Sequence, residues 1–343
     1  MKKTTAFFLS IGVMTMIIGG IGSGVYFKRA EKSMTDTKKQ SYEIKNKENT
    51  KEIHLTLSGN ADFYILTEPT DKIVMNTRSS APISLNSSLD VKETNDQLMV
   101  SANSAKNKTE FEGLNFDLFN RGAAVTLTIP ESAEHLIIDG NAKGRINLSN
   151  ITTKDLSIKL NDADLDVNNI NADKLAIETT HGDLNVYADV HTDKATFTTK
   201  NGDILISEFT ASNWTATSSS GDISLNTVNG SAKIDTINGD IQATDLKGEI
   251  EAKSTNGDFS LYGTEIPKKL TVNSQQGDIN LHTEEILYDV AIKTKTKLGD
   301  STIYGKDSSS YKRGKGSKTF DLQTKSGDIS VEGPSDFENE EDE

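Results

Sequence analysis

Ser218-Ser219-Ser220-Gly221-Asp222-Ile223-Ser224-Leu225 is one copy of a unit that recurs through the second half of this 343-residue chain. The Gly-Asp pair returns at Gly182-Asp183, Gly202-Asp203, Gly221-Asp222, Gly239-Asp240, Gly257-Asp258, Gly277-Asp278, Gly299-Asp300 and Gly327-Asp328, with gaps of 20, 19, 18, 18, 20, 22 and 28 residues. A period near 20 is the mark of a solenoid, in which each unit buries its apolar face only by stacking on the next.

The register holds on both sides of each glycine. Seven and five positions before it stand pairs such as Leu175/Ile177, Trp214/Ala216 and Phe320/Leu322; two and four positions after it stand Leu184/Val186, Ile223/Leu225 and Ile329/Val331. Only Thr294 and Ser301 break the apolar pattern. A period of two on both sides of a turn describes two short strands that each offer one face to a core, and it excludes helix. Three residues before every glycine stands a hydroxyl: Thr179, Thr199, Ser218, Thr236, Ser254, Ser274, Thr296 and Thr324. Its parity matches the apolar pair, so it points inward, where it can satisfy a backbone group left open at the corner.

Weaker copies surround Ala163-Asp164 and Gly144. The pattern therefore predicts an all-β fold, a single-stranded parallel β-helix (β-solenoid) of about ten coils of 18–22 residues. A hairpin meander is the rival, because Asn-Gly also favours tight hairpins, but it gives no reason for the hydroxyl to keep its offset. The aspartates would form a row of like charges about 5 Å apart, relieved by each carboxylate bonding its own turn or by a cation. The glycine-rich nonapeptide of calcium β-rolls is absent.

Five regions follow. Residues 1–27 contain an uncharged run from Thr4 to Phe27 after Lys2-Lys3, long enough for an uncleaved transmembrane anchor with the bulk of the chain outside the cell. Residues 28–51 carry eight Lys or Arg against four Asp or Glu and read as a basic stalk. Residues 52–130 alternate like strands without the Gly-Asp repeat and are expected to cap the first coil. Residues 131–332 are the solenoid repeats, and 333–343 an acidic tail. Within 52–130, Phe111–Phe119 is the most apolar loop candidate.

Net charge is −14 overall but −20 over residues 52–343, a sign that disfavours nucleic acid as a partner. With no cysteine, disulfides and lipoprotein-type lipidation are excluded. The five histidines occupy unrelated repeat positions, His181 and His191 being the one pair close enough in sequence to consider for metal. No P-loop, nucleophile elbow or zinc spacing is present, so neither catalytic residues nor a cofactor is expected. The last gap of 28 holds an insertion, Lys306–Lys318, with five basic residues and one acid; Lys312, Arg313, Lys315 and Lys318 are candidate contacts for an anionic partner such as a wall polymer.

The anchor, the segment Val125-Thr-Leu-Thr-Ile-Pro130 and repeats of the form Ser/Thr-x-x-Gly-Asp-Ile-x-Leu together resemble the LiaG-like family of "putative adhesins", Gram-positive membrane-anchored proteins with β-strand repeats. The resemblance covers residues 50–332 and is carried best by Ser218–Leu225 and Thr324–Val331. It implies a surface-exposed β-helical protein with relatives tied to cell-envelope stress and antimicrobial-peptide resistance, and it carries over no catalytic residue. The function expected is a non-enzymatic extracellular binding module on the cell membrane, with cationic peptides, wall polymers or envelope-stress proteins as partners. The alternatives are a surface adhesin, a wall-binding spacer and, remotely, a polysaccharide-acting enzyme.

Overall fold

In a computed structural model, residues 35–46, 49–80, 83–94, 96–108 and 123–334 are described. Among them the chain is all-β and β-solenoid-like, with no helix. The expected membrane segment, the Phe111–Phe119 loop and most of the acidic tail lie outside the described residues. No helix among those residues is long and apolar enough to cross a membrane.

Successive repeats pair in parallel and in register. Leu184 pairs with Ile204, Ile204 with Ile223, Ile223 with Ile241, Ile241 with Phe259 and Phe259 with Ile279. On the other side of the Gly-Asp corner, Ala195, Trp214, Ala232, Ile250 and Leu270 form a second file. All of these side chains are buried, so like residues stack on like and the core runs unbroken along the stack.

A third inward file was not anticipated. Ile151, Ile170, Val190, Phe209, Val228 and Leu246 are buried and follow a bend at which Asn150, Asn169, Asp189, Glu208, Thr227 and Asp245 take φ near +50 to +60°. Non-glycine residues enter this region at a cost, and Asn and Asp enter it most readily, so the corner carries no uniform sequence mark. Each turn of the stack is thus three-sided.

Spatial order departs from chain order at both ends. Lys269–Gln276 pairs with Lys318–Ser326, which in turn pairs with Val290–Lys295; Ile279–Thr283 likewise pairs with Ile329–Glu332, and that strand with Ser301–Ile303. The chain therefore lays down the outermost rung first and returns to fill the place beneath it. The N-terminal end mirrors this: Glu52–Gly59 lies between Gln97–Lys108 and His135–Gly140, and Asp62–Glu68 between Ala124–Pro130 and Ile146–Leu160. Glu52–Gly59, Asp62–Glu68, Gln97–Lys108 and Ala124–Pro130 consequently add parallel rungs to the same ladder, which extends past the ten coils expected. Ala61-Asp62, followed by buried Phe63 and Ile65, is a Gly-Asp unit with alanine in place of glycine.

Antiparallel strands close both ends, as they must if bare ladder edges are not to template other chains. Ile83–Glu93 covers Gln97–Lys108, Lys72–Ser80 covers Ala124–Pro130, and Thr35–Glu43 covers Lys72–Ser80. Thr35–Glu43 of the expected basic stalk is therefore a strand, tied down where Glu93 accepts the N–H groups of Lys45 and Asn46 and the Tyr42 hydroxyl. At the opposite end the basic insertion forms the strands Lys306–Asp307 and Ser310–Arg313, which cover Ser301–Ile303 and Val290–Lys295. Tyr304 and Tyr311 meet edge-on there with centroids 4.9 Å apart, and burial pushes the Tyr304 phenol up to about 12.

Candidate functional site

The Gly-Asp corner is a repeated hydrogen-bonding device. Asp183 Oδ1 accepts the N–H of Asp203 at 2.9 Å, and the pattern continues from Asp203 to Asp222, Asp222 to Asp240, Asp240 to Asp258 and Asp258 to Asp278 at 2.8 Å each. It then follows spatial rather than chain order, from Asp278 to Asp328 and from Asp328 to Asp300. The sequence reading had each carboxylate bonding its own turn. Instead it bonds the turn of the neighbouring rung, because stacking brings that N–H into line with the carboxylate.

The glycine and the inward hydroxyl belong to the same device. A Cβ at Gly257 would lie 2.0 Å from the carbonyl oxygen of Gly239, and one at Gly221 would lie 2.0 Å from that of Gly202. At some corners that carbonyl also accepts the buried hydroxyl, Ser218 Oγ donating to Gly202 O at 3.1 Å and Thr324 Oγ1 to Gly277 O at 3.0 Å, whereas the Thr179 and Ser254 hydroxyls have no partner among the described residues. Replacing Asp240 by Ala should leave the Asp258 N–H without its acceptor and cost about 1–2 kcal/mol in urea or thermal unfolding. Asp240→Asn keeps an acceptor oxygen and relieves like-charge repulsion, so it should match the parent within about 0.5 kcal/mol. Equal losses in both variants would show that charge, not the acceptor, matters.

None of the eight Gly-Asp aspartates from Asp183 to Asp328 forms an ion pair among the described residues. Seven of them have one oxygen committed to backbone, Asp300 at the end of the file giving only its N–H to Asp328, and most of the row is exposed. The result is a straight file of negative charge with a repeat of about 4.8 Å.

The four basic residues named from the insertion do not share one face. Lys312 and Arg313 are consecutive on a strand and so point to opposite sides. The Arg313 guanidinium stacks 4.4 Å over the Tyr288 ring, Lys315 lies in the exposed turn, and Lys318 opens the returning strand opposite Val290. Asp289 anchors that turn: the Ser317 hydroxyl and the Ser317 and Gly316 N–H groups hold its carboxyl below the usual range.

No group of three or more His, Cys, Asp or Glu among the described residues is placed to hold a metal ion. His181 does not meet His191; its Nδ1 lies 3.1 Å from Asp162. Trp214 is 2 % exposed, as its inward position implied, and packs edge-on against Phe209 with centroids 5.8 Å apart. Three shallow grooves, of about 450, 330 and 300 Å³, lie along the outer face of the strands that precede the Gly-Asp corners, lined mainly by Thr, Ser, Asn, Gln and Lys. Sequence reasoning followed only the inward half of these strands. The outward half carries the grooves, and its signal was the run Lys293, Lys295, Lys297 at period two.

No curated protein matches the chain. Among solved structures it is similar to a "putative adhesin" of Bacteroides fragilis, at 17% identity over 72% of this chain and 97% of that one, TM-score 0.42. A "putative adhesin" of Parabacteroides merdae aligns at 14% identity over 72% and 95%, TM-score 0.46. A "putative lipid binding protein" of Parabacteroides distasonis aligns at 12% identity over 88% and 97%, TM-score 0.42. The profile of the family described as Toastrack DUF4097 matches residues 50–243 and 226–332, which together span most of the chain, including the whole Gly-Asp ladder. This chain belongs to the Toastrack DUF4097 family.

Proposed function

We propose that the protein is a non-enzymatic binding module, a parallel β-helix of the LiaG-like kind, tethered by residues 1–27 to the cell membrane and facing outward, that engages cationic peptides as part of a response to envelope stress. The observation that carries this reading is the aspartate file. Its carboxylates are held at a fixed spacing by the backbone and are not neutralised by a neighbouring lysine or arginine among the described residues. A linear cationic peptide meets such a file with complementary charge along its length, an interaction that is fast and weakened by salt. The exposed ion pairs elsewhere, such as Lys159–Glu178 at 3.0 Å, offer no comparable field.

Calorimetric titration of the full chain, in neutral detergent, with a cationic antimicrobial peptide at two salt concentrations tests the reading. Saturable binding is expected, and the triple variant Asp222→Asn, Asp240→Asn, Asp258→Asn should bind about tenfold more weakly while its unfolding stays near that of the parent. Unchanged binding by the triple variant removes the aspartate file from the interaction. A chain that binds no peptide removes the reading altogether.

A further inference from the structure

Among the described residues of this acidic molecule, one groove gathers lysines without any carboxylate. At the molecule's C-terminal end, Asn273, Gln275, Lys295, Lys297, Gln323 and Lys325 line the outward groove of about 300 Å³, and no carboxylate lines it. Lys295 is the register partner of Gln323, and Gln323 of Asn273. Lys297, just past the end of its strand, and Lys325 immediately precede the bridged residues Leu298 and Ser326, so the two ammonium-bearing residues stand side by side on neighbouring rungs. Like charges placed opposite one another on neighbouring strands are destabilising. Here nothing relieves them: none of Lys295, Lys297 and Lys325 makes an ion pair among the described residues, and Lys325 Nζ reaches only Gln275 Oε1, at 3.3 Å. The nearest acid on the face, Asp321, is the register partner of Lys293 and accepts from Gln323 Nε2 at 2.9 Å.

We infer that this groove is a binding site for a linear phosphodiester polymer. Lys295 closes the strand Val290–Lys295 and Lys297 lies two residues beyond it, at most about 7 Å away, while Lys297 and Lys325 are about 4.8 Å apart across neighbouring rungs. One phosphate bridges Lys297 and Lys325, and the next along the polymer meets Lys295 and the Gln323 and Asn273 amides. A flat, rigid strand surface with exposed ammonium groups suits an extended polyanion, because little order has to be imposed on binding. The site is independent of the aspartate file: it takes a ligand of opposite charge, and either assignment can fail alone.

The test is binding of poly(glycerol phosphate) to the full chain in neutral detergent, compared between the parent, a triple variant Lys295→Glu, Lys297→Glu, Lys325→Glu, and a charge-matched triple variant Lys194→Glu, Lys200→Glu, Lys233→Glu. The control lysines are exposed and lie on the same strand face, farther from this end of the stack. The parent is expected to bind with an affinity that falls roughly 7-fold between about 50 and about 200 mM salt, the slope for two phosphate contacts on a single-stranded polyanion. The groove variant should lose binding and the control should keep most of it, with circular dichroism and melting showing all three folded. Equal loss in both variants would assign the effect to net charge and overturn the site. So would absence of polymer binding, or binding only to anionic-lipid vesicles with the same lysine dependence, which would make the patch a membrane contact.

Discussion

Gly257→Ala is expected to lower the stability of the chain by about 3–5 kcal/mol, seen as a fall in the urea midpoint. Two costs combine. Gly257 sits at φ +152°, a region that residues with a Cβ rarely adopt, and the added carbon would lie 2.0 Å from the Gly239 carbonyl oxygen and 2.6 Å from its carbon. Both atoms are backbone, and the oxygen belongs to a rung bonded on both sides, the Gly239 N–H donating to Asn256 O and Asn238 O accepting the Gly221 N–H. The rungs cannot part by the required ångström without breaking the aspartate bond at 2.8 Å between Asp240 and Asp258. Gly305→Ala is the matched comparison: φ is +72° and nothing lies within 4 Å, so only the backbone strain of about 1–2 kcal/mol remains. If both variants lose the same amount, close approach of the rungs is not the reason for the repeated glycine.

Phe209→Ala is expected to cost about 3–5 kcal/mol. Phe209 is 1 % exposed and occupies the third inward file, where its ring meets Phe197 edge-on at 5.5 Å and Trp214 at 5.8 Å. It therefore joins rungs as well as sides of the stack. Edge-to-face aromatic pairs add about 0.5–1.5 kcal/mol each beyond the area they bury. The surrounding backbone is locked in parallel ladders and has little scope to collapse into the space left. Leu205→Ala, on the outer face at 42 % exposure, should change stability by no more than about 0.5 kcal/mol. Because neighbouring rungs are the only contacts each unit has, the loss should also appear as faster amide exchange in rungs next to Phe209 before the ends of the stack respond.

Much of the candidate site was legible one residue at a time but not as a site. Asp240 was visible as a turn residue. That it bonds Asp258 rather than its own turn depends on the stacking offset, which no single repeat contains. Lys295 and Lys297 were visible as outward positions on a strand, yet the neighbour that makes them a groove, Lys325, follows 28 residues after Lys297 and reaches their side only because the returning strand is inserted beneath the outermost rung. The bend at Asn150, Asn169, Glu208, Thr227 and Asp245 was missed for a different reason: five positions with the same backbone conformation hold four residue types, so composition does not signal it.

The division follows from the range of the forces involved. Alternation of apolar and polar residues, glycine at the corner and a hydroxyl three residues before it are set by strand geometry and by contacts that every rung repeats, so the sequence by itself determined the all-β character, the period and the inward face. The order of rungs at the two ends, the antiparallel closures and the partner of each aspartate were decided only by the tertiary structure. Neighbouring repeats offer nearly equivalent ladders, so local pairing energy discriminates weakly among stacking orders. What selects one order is the covering of the outermost edges, by Ser310–Arg313 at one end and by Lys72–Ser80 and Ile83–Glu93 at the other, a contribution that exists only once the whole stack has formed.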